Sequence, residues 1–353
     1  MSLKTKLFDK HEALGAKMGD FAGYQMPLQY SSPQEEVAAV RNKAGVFDVS
    51  HMGEFFVTGE DAVKYVDFML PNDFKSLPLN KAMYSPLCHE NGGIVDDLIA
   101  YKFTDTRVMI CVNAANIEKD FNYFKKFAGD FNCTLEDRSD DYSLVAVQGP
   151  ESLNIVHNLY PNSKEVEKFG LLVPNLDDTT PTVLARTGYT GEDGFEIFVP
   201  NDQIDQLWEK LMSAGVVPCG LVARDVLRLE ACYPLYGHEL NDDLSPLETG
   251  LKWTVKMDKD NFVGKSALAE RENKHKQVKL YIEKGIPREG YKIFSADDQE
   301  IGVVTSGTYS PTLKKGIAMG LIGSENKLAD DYKIQVRKNF VEAKRVKKSF
   351  LAL

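Results

Sequence analysis

Apolar and polar residues along this chain carry helix and strand signals that are mixed throughout, with no fixed repeat. "SSPQEEVAAVRNKAG" opens with a capping box, with Ser32 as N-cap, Pro33 at the first helical position and Glu35 three residues after the cap. Gly45 is the expected stop of that helix. "GVFDVSHMGEFFVTGED" then predicts strand, turn and strand, and "AVKYVDFML" a short helix. From Met83 to Ala114 the pattern is a meander, "MYSPLCH", "GIVDDLIAYKF" and "RVMICVNA", separated by the turns "ENGG" and "TDT". Ile117, Phe121 and Phe124 recur at helical spacing. "YSLVAVQG", "TVLARTG" and "FEIFVP" predict buried strands, with helices beginning near Pro150 and Asn201.

After Trp253 comes a break rich in Lys and Glu, and from Val278 short β segments follow ("VKLYIE", "YKIFSA", "EIGVVTS", "KIQVR"). The expected class is therefore α+β, with a small C-terminal β domain. Its boundary falls between Glu272 and Lys279, giving 1–275 and 276–353.

Composition narrows the partners. A chain of 353 residues with 43% hydrophobic side chains can bury a substantial core and is long enough for two or three domains. Acidic residues outnumber basic ones, 52 to 42, for a net charge of −10, which argues against nucleic acid. Five cysteines (Cys88, Cys111, Cys133, Cys219, Cys232) lack CxxC spacing, so reduced thiols in a cytoplasmic protein are expected. Neither a signal-type leader nor an apolar run long enough to span a membrane is evident.

Several familiar sites are excluded by spacing. "FVGKSAL" would need a glycine at 259 to be a P-loop, and that position is Lys259, so a helix start is expected. "GYTGEDG" has glycines at every third position and joins two strands, unlike a dinucleotide fingerprint. The six histidines form no pair at metal-ligand spacing, and no GxSxG elbow is present.

What remains are polar residues in apolar settings, where a charge needs a partner. Glu196 lies between Phe195 and Ile197; it is either a solvent-facing edge residue or a buried site carboxylate. Arg224 and Arg228 are four apart on one helix and suit either a structural ion pair or a ligand. Asp48 and Ser50 could form a capped turn, Asn113 could cap the helix after its strand, and Tyr189 and Tyr236 could be wedges. In "NGGIVDDLIAYK", Asp96 and Asp97 must point to opposite faces of a strand, and alternation cannot choose between them.

Taken in order, "FAGYQMPLQY", "VFDVSHMGE", "NGGIVDDLIAYK", "VNAAN", "VQGP", "RTGYTGEDGFEI", "ARDVLRLEACYPLYGHEL", "LKWTVK", "GVVTSGTYSPTLKKGIAMG" and "VRKNFVEAKRVKKSF" resemble the glycine cleavage T-protein family of tetrahydrofolate-dependent aminomethyltransferases. The likeness runs from about Phe8 to Phe350. It implies a three-domain cloverleaf around a central folate channel, with the first two domains interleaved in sequence. The implied partner is lipoylated H-protein, whose aminomethyl group supplies a one-carbon unit to tetrahydrofolate with release of ammonia; neither metal nor nucleotide is implied. Residue by residue, the resemblance assigns the catalytic carboxylate near folate N10 to Asp97, leaving Asp96 a supporting or surface role. It assigns pterin recognition to Glu196 and a folate contact to Arg224, and lines the channel with Met52, Asn113, Tyr189 and Tyr236. Eukaryotic members carry a tail tyrosine that meets the end of folate, whereas this chain reads "KKSFLAL" there. Two related branches fit less well: folate-dependent demethylases are fused to a flavin domain whose fingerprint is absent here, and iron–sulfur assembly relatives carry a "KGC" motif that is also missing.

Overall fold

The computed structural model describes residues 2–353. It divides into two compact units, Met1–Ser85 with Leu98–Arg224, and Pro86–Asp97 with Asp225–Leu353. The division falls inside the strands Lys81–Cys88 and Ile94–Thr104 and inside the helix Leu221–Glu230.

The first unit contains a six-stranded sheet in the order Leu171–Leu172, Val183–Ala185, Gly194–Pro200, Tyr142–Gln148, Gly45–Asp48, Val217–Pro218. All its pairings are antiparallel except the last. One face buries Val145, Val147, Phe195, Ile197 and Val199 against the helices Ser152–Leu159 and Ile204–Ser213, with Trp208 among them. Because strand residues alternate, Glu196 points away from that core.

A second sheet runs Lys81–Cys88, Ile94–Thr104, Arg107–Val112, Gly53–Thr58, Thr134–Asp137. The helix Ile117–Ala128 covers one face: Phe121 and Phe124 pack edge-on to Phe55 at 5.3 and 6.2 Å. A Cβ on Gly53 would come within 2.6 Å of Ile117, so only glycine allows this approach. The face of Met52, Glu54 and Phe56 is therefore the one turned from that helix.

The helix Pro33–Asn42 starts with the expected capping box, but it ends on Lys43; Gly45 opens the strand Gly45–Asp48 instead. Glycine is needed there for packing, since a Cβ would meet Val40 at 2.5 Å. Glu36, fully buried in this helix, accepts the backbone N–H groups of Tyr30 and Ser31 on one oxygen and of Gly220 on the other.

In the second unit, six strands close into a barrel: His275–Ile282, Lys315–Gly323, Glu300–Ser310, Lys292–Phe294, Asp331–Val336, Asn339–Arg345. Val278, Leu280, Ile293, Ile322 and Ile334 fill it. Two of these strands, Lys315–Gly323 and Asn339–Arg345, are not among the four short β segments that the sequence pattern predicts there. Arg228 ties the helix to this barrel, donating to Glu239 at 2.9 Å, Ser306 at 2.7 Å and Asp225 at 2.8 Å. It is the structural member of the arginine pair.

Asp48 is the polar hub of the first unit. One carboxylate oxygen accepts from Thr5 at 2.7 Å and meets His11 Nε2 at 2.9 Å, while the other accepts from Ser50 N and Oγ at 3.0 and 2.6 Å. Tyr30 completes the chain at His11 Nδ1, 2.8 Å away. Burial alone would raise the Asp48 carboxyl, but His11 and Ser50 together hold it below its ordinary value. Its stabilising contribution is thus present at neutral pH and fades as the carboxyl is protonated in acid. Asp48→Ala strands three donors and a histidine in the interior, and urea unfolding at pH 7 is expected to reveal a loss of about 3 kcal/mol.

Candidate functional site

Glu196 occupies an interior strand, so the solvent-facing alternative is excluded; the residue is 8% exposed. Its register partners on either side are Ala146 and Ala185, whose small side chains leave room over the carboxyl. Thr187 donates to Glu196 Oε2 at 2.5 Å. Burial pushes the Glu196 carboxyl above its ordinary value, opposed by Thr187 and by the charge of Arg224.

Arg224 reaches the same place from the helix Leu221–Glu230. Its guanidinium carbon lies 4.9 Å from the centroid of the Tyr189 ring, a cation–π contact. Burial lowers its proton affinity and Glu196 restores part of it, yet an arginine remains charged. Nη1 is out of solvent and has no hydrogen-bond partner among the described residues. A buried charge with an idle donor is costly in the empty protein and suits a site that a polar ligand completes.

The sheet face turned from the helix Ile117–Ala128 carries further candidates. Glu54 pairs with Cys111, and Cys111 with Ile99, so these three side chains lie in a row; Tyr101 follows Ile99 on the same side. Met52, half-buried, ends a turn closed by its own N–H to Val49 O at 3.1 Å. Asn113, also half-buried, stands at the start of a short 3₁₀ turn, but its side chain does not make the capping bond expected of it. His51, next to Met52, is buried with Phe21 edge-on at 5.5 Å and Tyr24 tilted at 6.3 Å. Burial first, and then Arg224, pull its imidazole down to about 4 against the opposing charge of Asp48, so it is neutral at pH 7. Glu196, Arg224 and Tyr189 are thus brought together. Tyr101, Thr187 and His51 join them without having been singled out in the sequence, although Tyr101 keeps the period of Asp97 and His51 adjoins Met52.

Asp97 and Tyr236 belong to the second unit. The Asn-Gly-Gly stretch is the hairpin turn before the strand of Asp97: Gly92 has φ +84°, and His89 N donates to Gly93 O at 2.8 Å. A Cβ on Gly93 would lie 1.9 Å from Asp242 O, so the turn admits no side chain there. Tyr236 donates to Asp242 Oδ2 at 3.1 Å and reaches Ile94 O at 3.4 Å; Asp242 Oδ1 meets His89 Nε2 at 2.6 Å. Asp97 is half-buried, whereas Asp96 is fully buried, which removes the surface role for Asp96 and leaves the supporting one.

Among the described residues, no group of three or more His, Cys, Asp or Glu side chains could hold a metal ion, and no helix is long and apolar enough to cross a membrane.

Known proteins share this fold. Residues 7–259 match the GCVT N-terminal domain, and residues 275–351 match the glycine cleavage T-protein C-terminal barrel domain. A curated aminomethyltransferase of Thermosipho melanesiensis is 47% identical over 98% of this chain and 96% of its own length, and one of Thermotoga petrophila is 45% identical over 98% and 97%. The crystal structure of the glycine cleavage system aminomethyltransferase T from Bartonella henselae superimposes with a TM-score of 0.93 at 33% identity, covering 99% of this chain and 98% of that one. The mixed fold with its terminal six-stranded barrel is that of a transferase. The chain belongs to the glycine cleavage T-protein family of aminomethyltransferases.

His51 offers a direct check on this interior. Its folded-state value lies below its unfolded one, so as pH falls from 6.5 the unfolded chain takes up the proton first and stability is lost, down to about 4. In His51→Gln, the drop in unfolding free energy across that window should shrink by about 3 kcal/mol, read from urea titrations at each pH.

Proposed function

We propose that this aminomethyltransferase takes the aminomethyl group from the lipoyl arm of H-protein and passes its one-carbon unit to tetrahydrofolate. The products are 5,10-methylene-tetrahydrofolate, ammonia and dihydrolipoyl H-protein. The carrying observation is Glu196: a buried carboxyl between two alanines, braced by Thr187 and sensing a partly unpaired Arg224. A pterin presents an N–H and an amino group side by side, and a carboxylate accepts both at once. Glu196 would select and orient the ring, Arg224 would bind a polar oxygen of the folate through its idle Nη1, and Met52, Asn113, Tyr189 and Tyr236 would line the channel.

Asp97 is the proposed catalytic group. The amine departs once its nitrogen is protonated, and the one-carbon centre gains cationic character as the bond breaks; a fixed carboxylate stabilises that charge. It would also hold folate N10 and so aim N5 at the carbon, which lowers the barrier by positioning. The chemistry needs no metal or nucleotide. On this reading residues 1–275 form the folate-binding region, as two interleaved domains, and 276–353 the appended barrel. Five free thiols fit a reducing, cytoplasmic setting.

With aminomethylated H-protein and tetrahydrofolate, ammonia and methylene-tetrahydrofolate should appear in equal amounts; no turnover with a competent H-protein sinks the reading. Asp97→Asn should keep tetrahydrofolate affinity within about threefold and lower kcat roughly a hundredfold or more. Asp96→Asn should spare most of the rate and lower the melting temperature, because that side chain is fully buried. The reverse pattern would assign catalysis to the other aspartate.

We propose the locally basic C-terminal stretch "YKIQVRKNFVEAKRVKKSF", residues 332–350, as the landing surface for an acidic H-protein. Lys347 and Lys348 are exposed, although Lys347 already lies 3.4 Å from Asp330. Reversing both charges should raise KM for H-protein several-fold at low salt, and an unchanged KM would remove this surface from consideration.

A further inference from the structure

Glu54 is a carboxyl group for which the folded chain supplies no partner. The residue is 1% exposed, and its Oε1 has neither solvent nor a hydrogen bond among the described residues. Its backbone, by contrast, is engaged: Glu54 N donates to Ser139 Oγ at 3.0 Å, and its carbonyl accepts from Arg138 N at 2.9 Å. The strand around it is thus rigid, held between Arg107–Val112 and Thr134–Asp137. The side chain leaves on the face of Met52, Cys111, Ile99 and Tyr101, away from the helix Ile117–Ala128. Tyr24, Tyr101 and Tyr142 lie near enough to respond to a charge placed there, and Asp137 disfavours a negative one. Among the described residues it forms no ion pair.

A carboxylate in that position would be buried without a counter-ion, so the neutral acid is the stable form, and burial does push this carboxyl well above its ordinary range. A neutral acid has one O–H to give. We propose that Glu54 is a ligand-facing residue whose carboxylic acid donates a hydrogen bond to an acceptor atom, a carbonyl oxygen or unprotonated ring nitrogen, of the folate co-substrate. This rests on the folate reading above. It divides the labour on one ligand between two glutamates: Glu196 accepts from donor groups, and Glu54 supplies a donor to an acceptor.

A purely structural glutamate and a ligand-facing one respond oppositely to truncation. Removing a structural partner destabilises the empty protein, whereas removing an unpartnered buried carboxyl relieves it. The test compares the full chain with Glu54→Leu and Glu54→Gln, measuring the melting temperature without ligand and the Kd for tetrahydrofolate by calorimetry. Expected are a melting temperature in Glu54→Leu equal to or above that of the unchanged chain, with Kd raised tenfold or more. Glu54→Gln, which keeps an N–H donor of similar reach, should stay within about threefold of the original Kd. The inference is overturned if Glu54→Leu binds within twofold of the unchanged chain, or if it melts well below it. If the unchanged chain itself binds no tetrahydrofolate, the folate reading falls and this inference with it; if it binds and Glu54→Leu binds equally, only this inference falls.

Discussion

One buried carboxylate, Asp48, fixes the part of the first unit on which its candidate site is built. It gathers a threonine, a histidine and a serine from separate stretches of chain, and its bonds to Ser50 shape the turn that ends at Met52. From that turn the strand Gly53–Thr58 departs with its register set. Register in a strand is a binary choice, because a slip of one residue exchanges the two faces. With the turn held, Met52 and Glu54 take one face, and Gly53 and Phe55 meet the helix on the other.

The same unit concentrates unusual electrostatics in one region. Glu54 and Glu196 hold their protons more tightly than ordinary carboxyls, His51 holds its proton less tightly, and Arg224 keeps its charge at a desolvation cost. Structural polar groups in this protein look different. Asp48, Glu36, Arg228 and Glu239 are also buried, yet each is surrounded by donors or acceptors that satisfy it. Groups left incomplete by the fold, beside groups completed by it, distinguish a prepared site from an interior network.

Much of this was legible in the sequence. The capping box at Ser32, the Gly-Gly hairpin and the helix start at Lys265 rest on local rules that tertiary contacts do not override. Gly45 was misread because its glycine serves close packing against Val40 and not helix termination, and nothing local tells the two apart. The strand Lys315–Gly323 was missed because it is buried on both sides in a barrel and so loses the alternation that marks a half-exposed strand. Glu196 and Arg224 stood out as charges among apolar residues. Glu54 did not, since one acid after a glycine resembles any surface residue until the strand pairings show which face it takes.

The barrel closes between its first and last strands, where Leu280, Tyr281 and Ile282 pair with Arg345, Lys344 and Ala343. A ring of this kind has no intermediate state in which all but one strand is satisfied: without Asn339–Arg345, both His275–Ile282 and Asp331–Val336 present bare backbone edges. During synthesis, those two edges stay open until residue 345 has left the ribosome, so the barrel is exposed to edge-to-edge association until its last strand is in place. A lesion that removes a dozen residues beyond Asp331 would therefore be felt by the whole barrel, and not only by its terminus.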